Sequence, residues 1–524
     1  MFHLQQNTRS YWQEIEPPVT LPLSADRHTD VCVVGGGIAG SLSAYILLKH
    51  GHQVVMIDKE PFGENETAHT SAHLSNVLDE GIDELIKLFG VEGAKKAVQS
   101  HADAISLIEK IIEEEGIDCD FRRIKGYLFE KQESQKTLNK EWAASQKIGF
   151  EGIRFLHRNP LFSDLGPAIE YPNQARIHAL KFLRGLWTAI ERMGGEIYTL
   201  TKAVGIGGGD KPFIKTAQGF FVYAKNIIVA THIPIHDRFV FPTKDAAYRS
   251  YVIGFEVQAG SFPDYLMWDT QDPYHYVRLI PGTSEDKDTV LVGGQDRRVG
   301  QDNNPEQRFS DLEIWARHAL DMTVPVSMKW SGQIIEPVDG LAYIGRSPGQ
   351  EHIYMCTGDS GHGLTHAAIA AMIFRDLIDG APNEWEELYS PVRLKARGAR
   401  DLISETANTF VQYLDWFYLE DEIAKDSLLP GEGTLTRHKG SPVALYCDQN
   451  NKIHAMSAVC PHLGGVVHWN QAEKTWDCPC HGSRFAATGE VLNGPAIEDL
   501  RPTEVTSSDE IQALNDSEKP KEVL

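Results

Sequence analysis

The sequence predicts an α/β domain built on a parallel sheet, a second antiparallel sheet inserted into it, and a small all-β domain near the C-terminal end. Three observations carry this expectation. Asp30 to Val34, Ile38 to His50 and Gln53 to Ile57 read as strand, helix and strand, the order that builds a parallel sheet. Tyr251 to Gln258, Tyr274 to Ile280 and Thr289 to Gly293 are strand-like runs with no helical pattern between them, which calls for antiparallel pairing. From Gly433 onward strands are short and turn residues frequent.

These elements set the expected boundaries. Residues 1–390 form the first domain, its strands and helices alternating from about residue 28. An amphipathic stretch from Val392 to Glu420 predicts a helical linker over 391–429, and Pro430-Gly-Glu-Gly433 marks its end. The all-β domain takes 430–510, and the polar residues 511–524 make a tail. With 524 residues, 42% apolar and 23% charged, the chain can fill such cores. Its 73 acidic against 50 basic residues give a net charge of −23, which speaks against a nucleic-acid partner. The run from Val31 to Leu48, broken by glycines, is marginal as a membrane span, and the first residues show no secretory pattern. Seven cysteines, an odd number clustered late in the chain, suit metal ligation better than a disulfide framework. The expected compartment is therefore the reducing cytoplasm.

The first βαβ unit carries chemistry. Asp30-Val-Cys-Val-Val-Gly35-Gly-Gly37-Ile38-Ala39-Gly40 runs a strand into G-x-G-x-x-G and then a helix. Gly35 permits the tight turn, Gly37 lets backbone approach a pyrophosphate, and Gly40 lets helix pack on strand, with Ile38 and Ala39 in the first helical turn. Asp58, followed by Lys59, ends the second strand where a carboxylate can accept from a ribose hydroxyl. No second fingerprint exists: Gly205-Ile-Gly207-Gly-Gly209 runs into Asp210-Lys-Pro212 with no helix after it. Electrons are thus expected from an organic substrate.

On these residues the first domain, a Rossmann-type dinucleotide fold, resembles the glycine/D-amino-acid-oxidase-like FAD-dependent oxidoreductases over roughly 28–385. Three further segments carry the resemblance. Thr67-Ala-His-Thr70-Ser71-Ala72-His73 corresponds to the turn that touches flavin phosphates and ring. Val204 and Asn226-Ile-Ile-Val-Ala230-Thr231 correspond to strands flanking adenine and pyrophosphate. Cys356-Thr-Gly358-Asp359-Ser-Gly361-His362-Gly363 corresponds to the turn and helix start facing the flavin pyrimidine, where a helix N-terminus suits the charge of a reduced ring. The resemblance implies FAD, and an amine or amino acid as substrate. In Tyr274-His-Tyr276-Val-Arg278, period-two alternation puts the two tyrosines and Arg278 on one face. That makes Tyr276 and Arg278 the candidate catalytic residues, with Arg278 able to grip a substrate carboxylate. Gln333 and Arg346 are further candidate contacts, and His69, His73 and Cys356 lie where a covalent flavin link would need them. Asp359-x-x-His362-x-x-x-His366 approaches an acid-plus-two-histidines iron site, but the surrounding glycines fit the flavin turn better.

Cys460-Pro-His462-Leu-Gly464-Gly465 and Cys478-Pro-Cys480-His481-Gly482-Ser483 read C-x-H-x15-C-x-x-H. Two thiolates suit one iron and two imidazoles the other. A zinc finger would draw its cysteines from one element and its histidines from another, whereas here each loop supplies one of each. The segment resembles the Rieske domains, which implies a [2Fe–2S] cluster on Cys460, His462, Cys478 and His481. The respiratory members of that family carry a cysteine at the Gly465 position, disulfide-bonded to the one matching Cys480, and a tyrosine where this chain has Phe485. A free Cys480 and fewer donors imply a potential in the lower part of roughly −150 to +300 mV. The order of the domains resembles bacterial fusions of an FAD oxidoreductase with a Rieske domain. This order implies electron flow from substrate to FAD, to cluster, and to an external acceptor such as a redox protein.

Overall fold

The computed structural model describes residues 9–503 apart from 17, 19, 131–134, 160–161, 163–164, 237–244, 283–285, 303 and 394–427. The helical linker and the tail expected from the sequence fall largely outside the described residues. The chain divides into two compact units, 1–297 with 307–402, and 298–306 with 403–524.

In the first unit a sheet runs in the order Tyr343–Arg346, Ile353–Thr357, Phe221–Val229, Arg27–Val34, Val54–Ile57, Glu196–Tyr198. All neighbours after the first pair are parallel. The strand Val54–Ile57 is buried at every position, as a strand covered on both faces must be. The helix Ile38–Lys49 is buried at all of Ile38 and Gly40–Leu47, because the helices Gly363–Asp379 and Ala179–Arg192 pack against it. That removes any charged stripe and explains the long apolar run in the sequence.

The second sheet of this unit has the order Val326–Pro337, Asp245–Gln258, Lys287–Arg298, His275–Ile280, Leu266–Asp269, Arg122–Phe129, Ala168–Arg176, His73–Leu74. Its pairs are antiparallel at 245–258 with 326–337, and at 275–280 with both 266–269 and 287–298, while 266–269 runs parallel to 122–129. It draws on residues scattered from His73 to Pro337, so it is an insertion in space more than in sequence.

The first unit extends past the expected boundary at 390. Arg393 forms a fork on Asp339, Nε to Oδ2 at 2.8 Å and Nη2 to Oδ1 at 2.6 Å, and Nη1 donates to the Ala342 carbonyl at 2.6 Å. Both side chains are under 5% exposed, and the guanidinium lies 4.0 Å from the centre of the Tyr343 ring.

The second unit holds two antiparallel sheets, Gly433–His438, Ser441–Cys447, Ile453–Ser457, and His468–Asn470, Thr475–Asp477, Arg484–Ala486, Val491–Asn493. Met456, Val466, Val467, Trp476 and Phe485 fill its core. Residues 298–306, far away in sequence, join this unit: Gln301 Nε2 donates to the Pro479 carbonyl at 3.3 Å.

Replacing Arg393 by alanine leaves Asp339 buried and unpaired, so stability of the first unit should fall by about 3–5 kcal/mol. Urea unfolding followed by tryptophan fluorescence measures it; a loss below about 1 kcal/mol would contradict this role.

Candidate functional site

The glycine fingerprint is built by close approach. Gly35 has φ of +110°, and a Cβ there would lie 2.3 Å from the Ala230 carbonyl oxygen; a Cβ on Gly40 would lie 1.9 Å from the Gly35 oxygen. Helix 38–49 starts from Gly37, and the Thr67 hydroxyl accepts from the Ile38 amide at 3.1 Å. Ala39 packs beside the core in the same turn. This is the cradle a dinucleotide phosphate needs: backbone without side chains at the positive end of a buried helix.

Asp58 does more than the sequence suggested. One carboxylate oxygen accepts from the Gly36 amide at 2.6 Å and the other from Glu60 at 2.8 Å, so it braces the glycine loop itself. Burial raises its pKa, and these two amides oppose the rise. Lys59, beside it, is half-buried. The Val204 side chain is 37% exposed on the strand Ala203–Gly207. The Thr231 hydroxyl donates to the Ile233 carbonyl at 2.7 Å.

The turn expected to face the flavin ring is held in an unusual shape. Ala72 sits at φ of +56°, and its amide donates to the Thr70 hydroxyl at 3.0 Å. Trp12, from a short helix at Tyr11–Glu14, donates to the Thr70 carbonyl at 2.6 Å.

Arg278 is bound into the fold. It is 1% exposed, and Nη1 donates to the carbonyls of Ser71 (2.8 Å) and Ala72 (2.6 Å), with weaker contacts to Ile177. The guanidinium thereby holds the turn at Ser71 and Ala72. Burial lowers its pKa to about 9. Tyr276 packs edge-on against His73 with ring centres 5.2 Å apart. Burial drives the His73 pKa well down, with Arg278 and then His362 adding to it, so the ring is neutral.

The third segment is a glycine turn that runs into a helix. Gly358 and Gly361 have φ of +76° and +73°, and His362 caps the helix Gly363–Asp379. Its Nε2 accepts from the Asp79 amide at 3.1 Å. Asp359 and His366 are spent on the same turn: Asp359 Oδ1 accepts from Ile335 at 3.0 Å, and His366 Nδ1 lies 3.0 Å from the Asp359 carbonyl. Gln333 donates its amide to Glu66 at 2.6 Å, whereas Arg346 points away, toward Glu386 and the Leu377 carbonyl. Burial lifts the Cys356 thiol to about 12, which suppresses its nucleophilic form.

Sequence reading missed several residues here. The Asp296 carboxyl is hydrogen-bonded by Ser250 and Tyr274, and Glu336 accepts from the Ser360 hydroxyl at 2.7 Å. The signal was present: Tyr276 pairs with Gly293, and a Cβ on Gly293 would lie 2.2 Å from the tyrosine ring. A glycine opposite a tyrosine marks a place where the ring lies against the neighbouring strand.

The cluster loops are twins. Cys460 N–H donates to the Gly465 carbonyl at 2.8 Å and Gly464 N–H returns to Cys460 at 3.0 Å; Cys478 N–H donates to Ser483 at 2.8 Å and Gly482 N–H returns to Cys478 at 3.1 Å. Each loop turns on a glycine of positive φ, Gly464 (+82°) and Gly482 (+79°). Both cysteines are 2% exposed and their sulfurs hydrogen-bond each other, while the half-buried His462 and His481 rings stand 5.1 Å apart. Paired thiols inside and paired imidazoles outside fit a two-iron cluster with two protein ligands on each iron. A Cβ on Gly465 would lie 2.5 Å from Cys480 Sγ, so the free Cys480 thiol fills the space that a side chain at 465 would need. The Ser483 hydroxyl accepts from Ala496 at 3.0 Å and hydrogen-bonds Cys460; Phe485 is fully buried and offers no donor.

The family model described as FAD dependent oxidoreductase matches residues 30–377, and the Rieske [2Fe-2S] domain model matches 421–504. The chain belongs to the FAD dependent oxidoreductase family. It carries a Rieske domain after the flavin domain, and its cofactors are FAD and a [2Fe–2S] cluster.

Among similar proteins, YhfW of Bacillus subtilis (strain 168), which bears the name Rieske 2Fe-2S iron-sulfur protein, is 30% identical over 94% of this chain and 97% of its own length. Gamma-glutamylputrescine oxidoreductase of Escherichia coli (strain K12) is 24% identical over 71% of this chain and 89% of its own. The crystal structure of glycine oxidase from Geobacillus kaustophilus aligns with a TM-score of 0.60 at 19% identity, covering 70% of this chain and 99% of that one, which shows the shared fold. Among the described residues no helix of this oxidoreductase is long and apolar enough to cross a membrane.

Two outcomes follow from this geometry. Ser483→Ala removes one hydrogen bond to a cluster ligand, of about 1–1.5 kcal/mol, so the cluster potential should fall by roughly 40–65 mV. A redox titration followed by electron paramagnetic resonance reads it, and an unchanged or raised potential contradicts the assignment. Arg278→Met releases the turn at Ser71 and Ala72, so FAD should be retained about tenfold less tightly. Flavin fluorescence on dilution measures this, and wild-type retention would show that the turn holds without the guanidinium.

Proposed function

We propose that this oxidoreductase removes two electrons from a C–N bond of a small amine or amino acid and delivers them singly to an external acceptor. The substrate gives up a hydride from carbon and a proton from nitrogen, a C=N bond forms, and water later cleaves it. Bound FAD supplies the two-electron acceptor for the hydride, and the [2Fe–2S] cluster supplies a one-electron relay to a redox protein or other acceptor.

The observation that carries this reading is the pairing, in one chain, of a single dinucleotide cradle with a complete set of twin cluster loops. A chain with one dinucleotide site and a built-in one-electron carrier suits a dehydrogenase better than an enzyme that reduces oxygen directly. The names of the gamma-glutamylputrescine oxidoreductase and glycine oxidase relatives support oxidation at a C–N bond.

The chain's own residues perform the supporting tasks. Arg278 fixes the backbone at Ser71 and Ala72. Tyr274 and Tyr276 wall the site, and burial raises both phenols above their usual pKa, keeping them as neutral donors. His73 stays neutral beside them, so no cation competes with a protonated amine for the site.

Anaerobic addition of amines and N-methylated amino acids should bleach the flavin of both the wild type and Cys478→Ser. Turnover with an outer one-electron acceptor should be lost in the variant alone. Peroxide production in air at the same rate in both proteins would instead mark an oxidase whose cluster lies off the reaction path.

A further inference from the structure

The two cluster loops match in backbone but differ in what closes them. The first, 460–465, is closed by an isolated bridge between Val459 and Val466, two apolar neighbours. The second, 478–483, joins the strands Thr475–Asp477 and Arg484–Ala486, and the cross-strand pair that closes it is Asp477 with Arg484. A carboxylate thus precedes the ligand Cys478, and a guanidinium follows Ser483. Both charged residues are buried, Asp477 2% and Arg484 6% exposed.

Their hydrogen bonds fix both in place. Arg484 Nε donates to Asp477 Oδ1 at 3.0 Å, and its Nη2 donates to the Thr475 hydroxyl at 3.1 Å and to the Glu473 carboxylate. The Thr475 hydroxyl passes its own proton to Asp477 Oδ1 at 2.8 Å. Asn470 Nδ2, from the neighbouring strand His468–Asn470, donates to Asp477 Oδ2 at 3.0 Å. The Asn470 carbonyl oxygen in turn accepts the amides of Ala472 at 3.1 Å and Glu473 at 3.2 Å, which holds the turn that carries Glu473. Taking a carboxylate and a guanidinium out of water is costly even when they are paired. Two valines close the first loop without that cost, so closing a loop of this shape does not require buried charge. What the pair adds is two fixed charges of opposite sign beside the backbone of the cluster ligands, in an interior that screens them weakly.

We propose that the buried Asp477–Arg484 pair is a positioning element of the second ligand loop that sets the reduction potential of the cluster. Reduction adds one negative charge to the cluster. The Asp477 carboxylate opposes that charge and the Arg484 guanidinium favours it, so each half alone moves the potential in the opposite direction to the other. Glu473, on the far side of the same guanidinium, acts with the sign of Asp477 from further out. The proposal concerns the cluster and holds whichever substrate feeds the flavin.

Redox titration of the full-length holoenzyme, with the reduced cluster followed by electron paramagnetic resonance, tests it. Asp477→Asn keeps the shape and removes the negative charge, so the equilibrium constant for cluster reduction should rise about tenfold, an upward shift of about 59 mV for one electron. Arg484→Gln removes the positive charge and should shift the potential downward by a similar factor. The double variant should return to within about threefold of the wild-type equilibrium constant. A scaffold without electrostatic influence would move both single variants in the same direction, through the same loosening of the loop. Shifts of one sign in both, or no shift in either, would overturn the proposal. Iron and sulfide content identify any variant that fails to hold the cluster. Should both single variants fail, Glu473→Gln decides: a raised potential supports the proposal, and an unchanged or lowered one overturns it.

Discussion

The flavin end of this molecule depends on one steric constraint: a Cβ at position 40 would stand 1.9 Å from the carbonyl oxygen of Gly35. Only glycine lets the helix Ile38–Lys49 settle onto the strand Arg27–Val34 so closely. Everything around the cradle follows from that approach. Gly36 can reach the Asp58 carboxylate, Thr67 can cap the helix start, and Trp187 can slide beneath the loop and donate to Ser41 at 2.8 Å. A larger residue would lift the helix, and with it the positive helix end on which a phosphate rests.

The same economy of side chains recurs at each functional place. Gly293 makes room for the Tyr276 ring, and Gly465 makes room for the Cys480 thiol. In each case the neighbour that fills the space is a chemically capable group. Arg278 shows the converse logic. A buried guanidinium without a carboxylate would be costly, and the carbonyls of Ser71, Ala72 and Ile177 provide its acceptors. Its charge holds the shape of the turn at Ser71 and Ala72.

Much of this was legible in the sequence because it rests on short-range order. The strand, G-x-G-x-x-G, helix and strand at 30–58 follow from local periodicity and glycine spacing, and both cluster loops follow from ligand spacing. The antiparallel sheet was legible in its three hairpin-like strands, but its strands at His73–Leu74 and Arg122–Phe129 come from distant chain segments that no local pattern joins. Arg278 was placed on the right strand, but its hydrogen bonds to the carbonyls of Ser71 and Ala72 were not legible, since alternation fixes a face but not what lies beyond it. Asp296 and Glu336 escaped notice because a lone acid on a strand looks like a surface residue until the fold buries it. The membership of residues 298–306 in the second unit is likewise a tertiary fact with no sequence signature.

The central claim is that one chain takes electrons in pairs from an organic C–N bond and stores the last of them on its own cluster. Coulometric counting under anaerobic conditions, with an amine as the sole reductant, tests it most directly. A [2Fe–2S] cluster holds one electron and a flavin two, so uptake should reach about three electrons per chain, accompanied by the paramagnetic signal of the reduced cluster. Uptake that stops at about two, with the cluster still oxidised, would contradict the account.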